Sequence, residues 1–411
     1  MDRGWRVVFI VLGIVLLLIL AAAPFVVLTP RAPKPAGGID TVAQLEAYFN
    51  ALVANETPPA LAVTVVKDGA VIYAKAFGQA DGPGAKAATP DTAFHFWSVT
   101  KLFTATAIMQ LVEDGKVALD DPVAKYLPDF RTVFSRAAAP ITIRQLLAHT
   151  SGMKNLGPFD LVGWIHHVED PPVSQTAIVR DRMGRYSNLA SQPGKTGAYS
   201  NAGYILLSAV VEAASGESFE DFVRRRILKP LALTSTDFLY NPDQLGRAAA
   251  GSHPIFHFYT PLLLMVHTDW FSKWVTTTLR RRMWLAPLYT DYTGPTGLIG
   301  TGSDLARFAQ AFLAGGELEG GRILGPATVA TMLDDGYGPN NGPDGDRMGL
   351  GWHWWDEAPI PFKGHGGDGP GFSAQLAIFP EKNMAIVVLA NDTLTDRVGL
   401  TRLVAGVFGK H

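Results

Sequence analysis

The residues of this chain best suited to chemistry are a serine and a lysine three positions apart, Ser98 and Lys101. They stand where an apolar, aromatic run gives way to a helix-like run that continues to Glu113. Side chains at positions i and i+3 share one face of a helix, so the Lys101 amine can approach the Ser98 hydroxyl. A desolvated lysine can take the proton of a serine, and the start of a helix stabilises negative charge. The spacing therefore predicts an activated nucleophile at Ser98.

The same spacing recurs at Ser151 and Lys154. A glycine follows this second serine and no helical run follows the lysine, which indicates a turn. Because serine and lysine are common residues, spacing alone makes Ser98 a candidate that other motifs must support.

Two later stretches contain polar groups that could complete a site around this serine. Tyr199 and Asn201 come after a turn and directly before a long apolar helix. A tyrosine hydroxyl beside a lysine can share the serine proton, and an asparagine can donate to a substrate carbonyl. The second stretch, from Gly364 to Gly371, is glycine-rich and includes His365. Its backbone can approach a ligand closely and its imidazole can transfer a proton or bind a carboxylate, with a tight turn as the alternative interpretation.

The predicted secondary structure places strands at both ends of the chain and helices between them. Strand-like runs lie at 61–66, 71–77, 351–355, 373–379 and 384–390, and an Asp-Gly hairpin signal joins the first two. The pattern from about 115 to 335 is mainly helical. We therefore predict an α/β (α+β) fold, with an antiparallel sheet built by both chain ends, flanking helices and an inserted helical lobe. A substrate cleft is expected between the lobes, where Ser98 falls.

The composition excludes several classes of protein. With 411 residues, of which 47% are hydrophobic and 18% are charged, the chain can bury a large core. A net charge of −2 gives no basis for binding nucleic acid. The absence of cysteine excludes disulfides, thiolate metal sites and a catalytic thiol. The adjacent His166 and His167 lack the spacing of a metal site, so we predict neither a metal nor another cofactor.

An apolar segment near the first residue predicts attachment to a membrane. The uncharged run from Val7 to Leu28 would span roughly 33 Å as a helix, close to the ~30 Å hydrocarbon core of a bilayer. Arg3 and Arg6 precede it and favour a cytoplasmic N-terminus. We predict a single-pass transmembrane anchor at 1–29, with a signal peptide cleaved near 21–23 as the alternative. In both cases the rest of the chain is expected outside the cytoplasm, in the periplasm or the extracellular space.

The next stretch reads as a spacer between the membrane and the folded part. Residues 30–40 are rich in proline and glycine, which predicts a linker that is semi-rigid and then flexible. The folded part is expected to occupy 41–411.

Three of these stretches, taken in chain order, resemble the signatures of penicillin-recognising serine hydrolases. Ser98-Val99-Thr100-Lys101, Tyr199-Ser200-Asn201 and His365-Gly366-Gly367 are similar to the S-x-x-K, Y-x-N and K/H-T/G-G motifs of the β-lactamase and penicillin-binding-protein superfamily. The most similar branch contains class C β-lactamases, D-alanyl-D-alanine carboxypeptidases and related esterases. The resemblance extends over 41–408 and implies a β-lactamase-like fold for the domain at 41–411.

The resemblance implies a role for each matching residue in the first two motifs. Ser98 would be the acylated nucleophile, and Lys101 and Tyr199 would be the pair that transfers its proton. Asn201 would orient the substrate carbonyl.

The third motif implies the remaining substrate contacts. In it His365 takes the place of the usual lysine, followed by the glycine pair Gly366 and Gly367. The backbone N–H groups of Ser98 and Asp368 would form the oxyanion hole. Histidine is largely neutral at pH 7, with an ordinary pKa of about 6.5, whereas a lysine helps to hold a substrate carboxylate. The exchange therefore favours an esterase, peptidase or transacylase over a β-lactamase.

One segment, at about 255–292, departs from the family pattern. It contains apolar runs at 261–266 and 270–275, followed by aromatic residues mixed with arginine at 280–292. Trp and Tyr beside Arg are typical of a membrane interface, which suggests membrane contact by 255–290, and a hydrophobic lid over the active-site cleft is the alternative. Either interpretation predicts apolar or lipid-like substrates.

Together these observations predict a membrane-anchored, extracytoplasmic serine hydrolase that acts through an acyl-enzyme. Its substrate is expected to be an ester or amide, of the esterase or D-amino-acid peptidase type. The alternatives are a class C-like β-lactamase and a non-catalytic binding protein that keeps the fold. The intact set of Ser98, Lys101, Tyr199 and Asn201 favours an enzyme.

Overall fold

The computed structural model describes residues 31–35, 37–82, 84, 86–157, 160, 165–167, 173–257, 260, 273–334, 347–356 and 360–410. Within these ranges, no helix combines the length and apolar character that crossing a membrane requires. The anchor predicted at 1–29 and the apolar run at 261–266 lie outside the described residues, as does the first half of the run at 270–275.

The strands of the described chain range from two to twelve residues in length. In chain order they are β1 (Ala60–Lys67), β2 (Ala70–Asp81), β3 (Lys86–Ala87), β4 (Phe94–His95), β5 (Val133–Phe134), β6 (Ala137–Ala138), β7 (Ile165–His167), β8 (Ser252–Pro254), β9 (Val275–Leu279), β10 (Arg282–Leu285), β11 (Leu288–Thr290), β12 (Ile299–Gly300), β13 (Glu317–Leu318), β14 (Gly321–Arg322), β15 (Arg347–Met348), β16 (His353–Trp355), β17 (Phe362–Gly369), β18 (Phe372–Phe379) and β19 (Met384–Ala390).

The main sheet confirms the prediction that both ends of the sequence build one antiparallel sheet. Its order is β15-β16-β17-β18-β19-β1-β2-β3. The strand β1 lies between β2, its hairpin partner, and β19, with Leu61 opposite Ala390. The first and last long strands are therefore neighbours at the centre of the sheet.

The central strands β1 and β19 are mostly apolar because helices cover both faces of the sheet. Alternate residues of β1 point to different cores: Leu61 and Val63 belong to one buried cluster, and Ala62 belongs to the other. The first cluster lies under the helices near the two chain ends, and the second continues into the helical lobe. This two-sided burial favours β-branched and aliphatic residues without a polar face.

The helices of the described chain cover the sheet and build the lobe. They are α1 (Val42–Ala54), α2 (Thr100–Glu113), α3 (Ile143–Leu147), α4 (Gln175–Arg182), α5 (Asn201–Ser215), α6 (Phe219–Val223), α7 (Pro242–Arg247), α8 (Thr293–Thr296), α9 (Gly302–Leu313), α10 (Pro326–Leu333) and α11 (Arg397–Phe408). Short strand pairs, such as β5 with β6 and β13 with β14, lie between the helices of the lobe. Their two-residue strands are too short to show an alternating pattern in the sequence.

Helix α2 is the central helix of the molecule. Every residue from Thr100 to Leu111 is buried, so the helix has no solvent-facing stripe. A single 3₁₀ turn, Trp97–Val99, precedes it. Helix α5 packs against α2 and is capped by Ser200, whose hydroxyl accepts from the Gly203 N–H, and it ends at Gly216 in the left-handed region.

The described part of the 255–292 segment is packed into the protein. Strands β8, β10 and β9 form a small sheet, and β11 pairs with β7. The side chains of Trp284, Tyr289 and Tyr292 are only 1–2% exposed, so these aromatic residues do not face solvent. The exposed residues of the described part of this segment include Leu279, which is 39% exposed, and Arg280 and Arg281, at the end of the β9–β10 hairpin.

A buried arginine joins this small sheet to the main sheet. Arg282 of β10 forms an ion pair with Asp392, just beyond β19, and their side chains are 1% and 5% exposed. The Arg282 guanidinium also donates to the Ser252 hydroxyl at 2.9 and 3.1 Å and to the Glu56 carbonyl at 2.9 Å. All of these acceptors come from elements far apart in the sequence.

Replacing this arginine should therefore be costly. Arg282→Ala is expected to lower the free energy of unfolding by about 3–5 kcal/mol, because it leaves Asp392 buried without its partner. The control is Arg280→Ala on the same hairpin, where the arginine side chain is 66% exposed and pairs with Glu56 at 3.0 Å. That exposed pair should contribute about 0–1 kcal/mol. Urea unfolding followed by tryptophan fluorescence measures both, and equal effects would contradict the assignment.

Candidate functional site

The start of α2 holds Ser98 and Lys101 together as the spacing predicted. Ser98 lies in the 3₁₀ turn, and one helical turn later the Lys101 Nζ lies within hydrogen-bond distance of the Ser98 Oγ, at 2.9 Å. The residue before the serine, Trp97, has φ of +45°, a conformation that costs a non-glycine residue free energy and is held here by its buried surroundings.

Lys101 is fully buried and surrounded by neutral acceptors. Besides Ser98, its Nζ contacts the Asn201 Oδ1 at 2.7 Å and the Pro295 carbonyl at 3.0 Å. Burial disfavours the charged amine and lowers the pKa of Lys101 well below its ordinary value.

The three contacts of Lys101 indicate which partner donates the hydrogen bond between Ser98 and Lys101. A neutral amine has two N–H donors and one lone pair, and the oxygens of Asn201 and Pro295 can only accept. When Lys101 is neutral, its lone pair is then left for the Ser98 hydroxyl, which can donate to it. The arrangement can therefore take a proton from Ser98 as the serine attacks a carbonyl.

Tyr199 and Asn201 are brought to the same lysine by the start of α5. The Lys101 Nζ lies 4.9 Å from the centre of the Tyr199 ring. The Asn201 backbone N–H donates to the Asn155 side-chain oxygen at 2.9 Å, which fixes the first turn of the helix. The predicted grouping of Ser98, Lys101, Tyr199 and Asn201 is present in the structure.

The glycine-rich strand β17 passes directly beside the Ser98 turn. A Cβ added to Gly367 would lie 2.1 Å from the Phe96 carbonyl oxygen and 2.9 Å from the Ser98 nitrogen. Only a glycine allows this approach. Asp368 follows immediately, so its backbone and that of Ser98 border the same space.

The Asp368 side chain forms an ion pair with Arg397, a contact that the sequence did not indicate. Its carboxylate accepts from the Arg397 Nε at 2.8 Å and Nη2 at 2.6 Å, and Arg397 also donates to the Gln375 Oε1 at 2.8 Å. A Cβ on Gly366 would lie 2.1 Å from the Arg397 guanidinium. Arg397, the first residue of α11, therefore holds the glycine-rich strand β17 in place through these contacts. A single arginine in a closing helix carries no local signal for this role.

His365 is a buried neutral imidazole. Its Nδ1 donates to the Gly366 carbonyl at 2.6 Å, and its ring lies 4.2 Å from the ring of His353. Burial, followed by the nearby His353 and Lys101, lowers the pKa of His365 well below its ordinary value. Near neutral pH the side chain therefore supplies no positive charge for a substrate carboxylate.

Two further residues belong to this neighbourhood. The ring of His149 lies 4.5 Å from the ring of Tyr199, and the ring of His353 lies 6.0 Å from it. The motifs described in the sequence include neither His149 nor His353. Their proximity arises because β16, α5 and the loop after α3 meet here.

The second S-x-x-K match lies in an irregular loop, and, as predicted, no helix follows it. The Ser151 Oγ accepts from the Met153 N–H at 3.3 Å, and Lys154 is exposed. Among the described residues, no cluster of three or more histidine, aspartate or glutamate side chains could hold a metal ion. His166 instead contacts Asp291 at 2.8 Å.

Comparisons with known proteins find similarity over most of the chain. A family model described as Beta-lactamase matches residues 45–407. Penicillin-binding protein 4 of Amycolatopsis lactamdurans is 29% identical over 354 residues, covering 84% of this chain and 83% of that protein. The structure of the octameric penicillin-binding protein homologue from Pyrococcus abyssi has a TM-score of 0.71 at 26% identity, covering 90% of this chain and 78% of that chain.

A shorter match involves Protein flp of Staphylococcus aureus (strain MRSA252), which is 32% identical over 204 residues, or 48% of this chain. The chain spans 39% of the length of that protein. The family-model match, in contrast, contains the whole described site from Ser98 to Asp368.

The state of Lys101 predicts a pH dependence for the reactivity of Ser98. The rate of labelling by a fluorophosphonate should rise with pH through the pKa of Lys101 and level off well below pH 10.5, because only the unprotonated amine can accept the serine proton. At lower pH the amine is protonated and the rate falls. In Lys101→Arg the guanidinium stays charged, so labelling should be slow and lack this rise. A wild-type rate that still increases through pH 10.5 would contradict a depressed pKa.

Proposed function

This chain belongs to the beta-lactamase family and is a serine hydrolase, and from that premise we propose that it forms an acyl-enzyme on Ser98. The observation that supports this most directly is the 2.9 Å contact between the Lys101 Nζ and the Ser98 Oγ. The lysine is buried among neutral acceptors, so it can act as a base, which a solvent-exposed, protonated lysine could not do.

The proposed reaction begins with proton transfer from the Ser98 hydroxyl to Lys101. The serine oxygen attacks the substrate carbonyl, and the negative charge develops on the carbonyl oxygen. The proton then moves to the leaving alcohol or amine, with Tyr199 beside the lysine as the second member of the transfer pair. In the second half of the reaction the Lys101–Tyr199 pair takes a proton from water, and the water oxygen attacks the acyl carbonyl. The bond to the Ser98 oxygen then breaks, and the serine oxygen takes the proton back as the acid product leaves.

The proposed oxyanion hole consists of the backbone N–H groups of Ser98 and Asp368. The close approach of Gly367 to the Ser98 nitrogen supports this assignment, because it sets the two backbones side by side. Such donors typically stabilise the transition state by about 3–4 kcal/mol. Asn201 is proposed to orient the substrate carbonyl while holding Lys101.

The proposed substrate is an ester or amide that does not depend on a carboxylate for binding. The neutral His365 supports this choice, because it stands where the family motif has a charged lysine. An esterase or a D-amino-acid peptidase fits this site. A penicillin-recognising, class C-like activity is the second candidate, and the 29% identity to Penicillin-binding protein 4 favours it.

We propose that the hydrolase domain lies outside the cytoplasm. The uncharged run from Val7 to Leu28 supports a membrane anchor, and a cleaved signal peptide would lead to the same compartment. For the 255–292 segment, membrane contact would have to involve residues other than the buried Trp284, Tyr289 and Tyr292.

The central test is replacement of the nucleophile. Ser98→Ala should abolish the fluorophosphonate adduct seen by intact-mass spectrometry and lower ester hydrolysis by on the order of 10⁴-fold or more. Ser151→Ala, at the serine of the second S-x-x-K match, is the matched control and should keep the adduct. An adduct that survives in Ser98→Ala would refute the proposed nucleophile.

Substrate preference can be tested with a short panel. Neutral p-nitrophenyl esters should have a kcat/KM at least about tenfold above those of D-alanyl-D-alanine peptides and a chromogenic cephalosporin, roughly the contribution of one charge-assisted hydrogen bond. The reason is that His365 offers no charge to a carboxylate. The reverse order of kcat/KM would favour the penicillin-recognising alternative.

A further inference from the structure

His149 holds the loop that carries Tyr199 at three points. Its carbonyl oxygen accepts from the Ala198 N–H at 2.8 Å, and its Nδ1 accepts from the Ser200 N–H at 3.1 Å. Between these two hydrogen bonds, the imidazole lies against the Tyr199 ring, with centroids 4.5 Å apart and planes inclined by 31°. One residue thus contacts three consecutive residues of the loop.

The backbone of His149 is itself held in an uncommon conformation. Its φ is +54°, in the left-handed region that non-glycine residues seldom occupy. This conformation lets the carbonyl and the ring of the same residue reach the loop together. Such strain is retained only when the surrounding contacts determine it.

The hydrogen bonds assign a protonation state to the ring. Because the Ser200 N–H is a donor, the His149 Nδ1 must carry a lone pair, and the proton of the neutral ring sits on Nε2. His365 shows the opposite tautomer, since its Nδ1 donates to a carbonyl. If the His149 Nδ1 were protonated, its N–H and the Ser200 N–H would face each other as two donors, and the hydrogen bond between them would be lost.

The groups that face the ring also disfavour a charge on it. The ring of Tyr204, from α5, lies 5.0 Å away, and that of His353, from β16, lies 5.9 Å away. Burial, with smaller contributions from His353 and Lys101, lowers the pKa of His149 well below its ordinary value.

The loop that His149 holds leads directly to Lys101. Tyr199, stacked on the imidazole, lies over the lysine amine, and Asn201, the residue after Ser200, accepts from it at 2.7 Å. A displacement of this loop would therefore move both the proposed proton carrier and an oxygen that orients the base.

We propose that His149 is a positioning residue for the reaction. As the neutral Nε2–H tautomer, it fixes Tyr199 and Asn201 against Lys101. This inference rests on the proposed acyl-enzyme mechanism, in which Lys101 and Tyr199 move the proton of Ser98. His149 contacts the machinery without touching the reacting atoms.

Three substitutions at one position separate this role from simple packing. An asparagine can place its amide oxygen near the position of Nδ1 and accept from the Ser200 N–H, whereas the longer glutamine places its amide near Nε2. His149→Ala and His149→Gln should lower kcat for a p-nitrophenyl ester by roughly 10- to 100-fold with little change in KM, and His149→Asn should recover most of the rate. Equal kcat values for the Asn and Gln variants, or an Ala variant within twofold of wild type, would overturn the proposal.

The matched control is Gln110→Ala on α2. Gln110 is also buried and donates to two backbone carbonyls, those of Arg226 and Ile323, at 2.9 and 2.8 Å, but it lies at the far end of the helix. Its loss should lower the melting temperature while kcat stays within about twofold of wild type. If this variant lowers kcat as much as His149→Ala does, the effect is one of stability and the proposal fails.

A spectroscopic measurement tests the tautomer without any variant. Long-range ¹⁵N–¹H correlation spectra of the wild-type protein labelled at histidine distinguish protonated from unprotonated ring nitrogens. At neutral pH we expect His149 with its proton on Nε2 and His365 with its proton on Nδ1. A proton on Nδ1 of His149 would overturn the proposal, including in the case where the variants fail to fold.

The two proposals fail in different ways. If Ser98→Ala retains activity and its adduct, the acyl-enzyme assignment is wrong whatever the state of His149. If Ser98→Ala is inactive but the His149 series shows no Asn rescue, only the positioning role is wrong.

Discussion

The desolvation of Lys101 is the constraint on which the rest of this site depends. A fully buried ammonium would be costly, so the amine needs neutral hydrogen-bonding partners. These partners come from three separate elements: the turn before α2 through Ser98, the start of α5 through Asn201, and α8 through the Pro295 carbonyl. One nitrogen thus contacts three separate elements, and all three must be in place before its environment is complete.

The imidazoles near Lys101 fit the same constraint. His149 and His365 are polar, yet burial, followed by the nearby His353 and Lys101, keeps their pKa values low, so they add no positive charge to the site. The relation is mutual, because a charged imidazole would lower the pKa of Lys101 further and a charged lysine disfavours the imidazolium. Backbone hydrogen bonds set a different tautomer in each ring. The polar side chains around Lys101 therefore stay uncharged, because the pKa values of both imidazoles lie below the ordinary value for histidine.

The sequence predicts those residues of the site that lie close together in short motifs. Ser98 and Lys101 share a helix turn, and Tyr199 and Asn201 share a cap, so short motifs find them. The antiparallel sheet follows from apolar runs at both ends of the chain. Arg397, His353 and the Pro295 carbonyl are contacts made by tertiary structure, and a backbone carbonyl has no signature in the sequence at all. In the 255–292 segment, composition could not distinguish aromatic residues packed in a core from those at a membrane, because both environments favour the same side chains.

The pairing of β1 with β19 has a consequence for the order of events during synthesis. The Ala60 N–H donates to the Asn391 side chain at 2.7 Å across a separation of 331 residues. Contacts of such high contact order form late, because the loop between them must be closed first. A nascent chain that has already emerged past Ser98, Lys101 and Tyr199 still lacks β17, β19 and Arg397. The nucleophile therefore acquires its glycine strand only after the whole helical lobe has been synthesised, and until then the growing polypeptide has no assembled site.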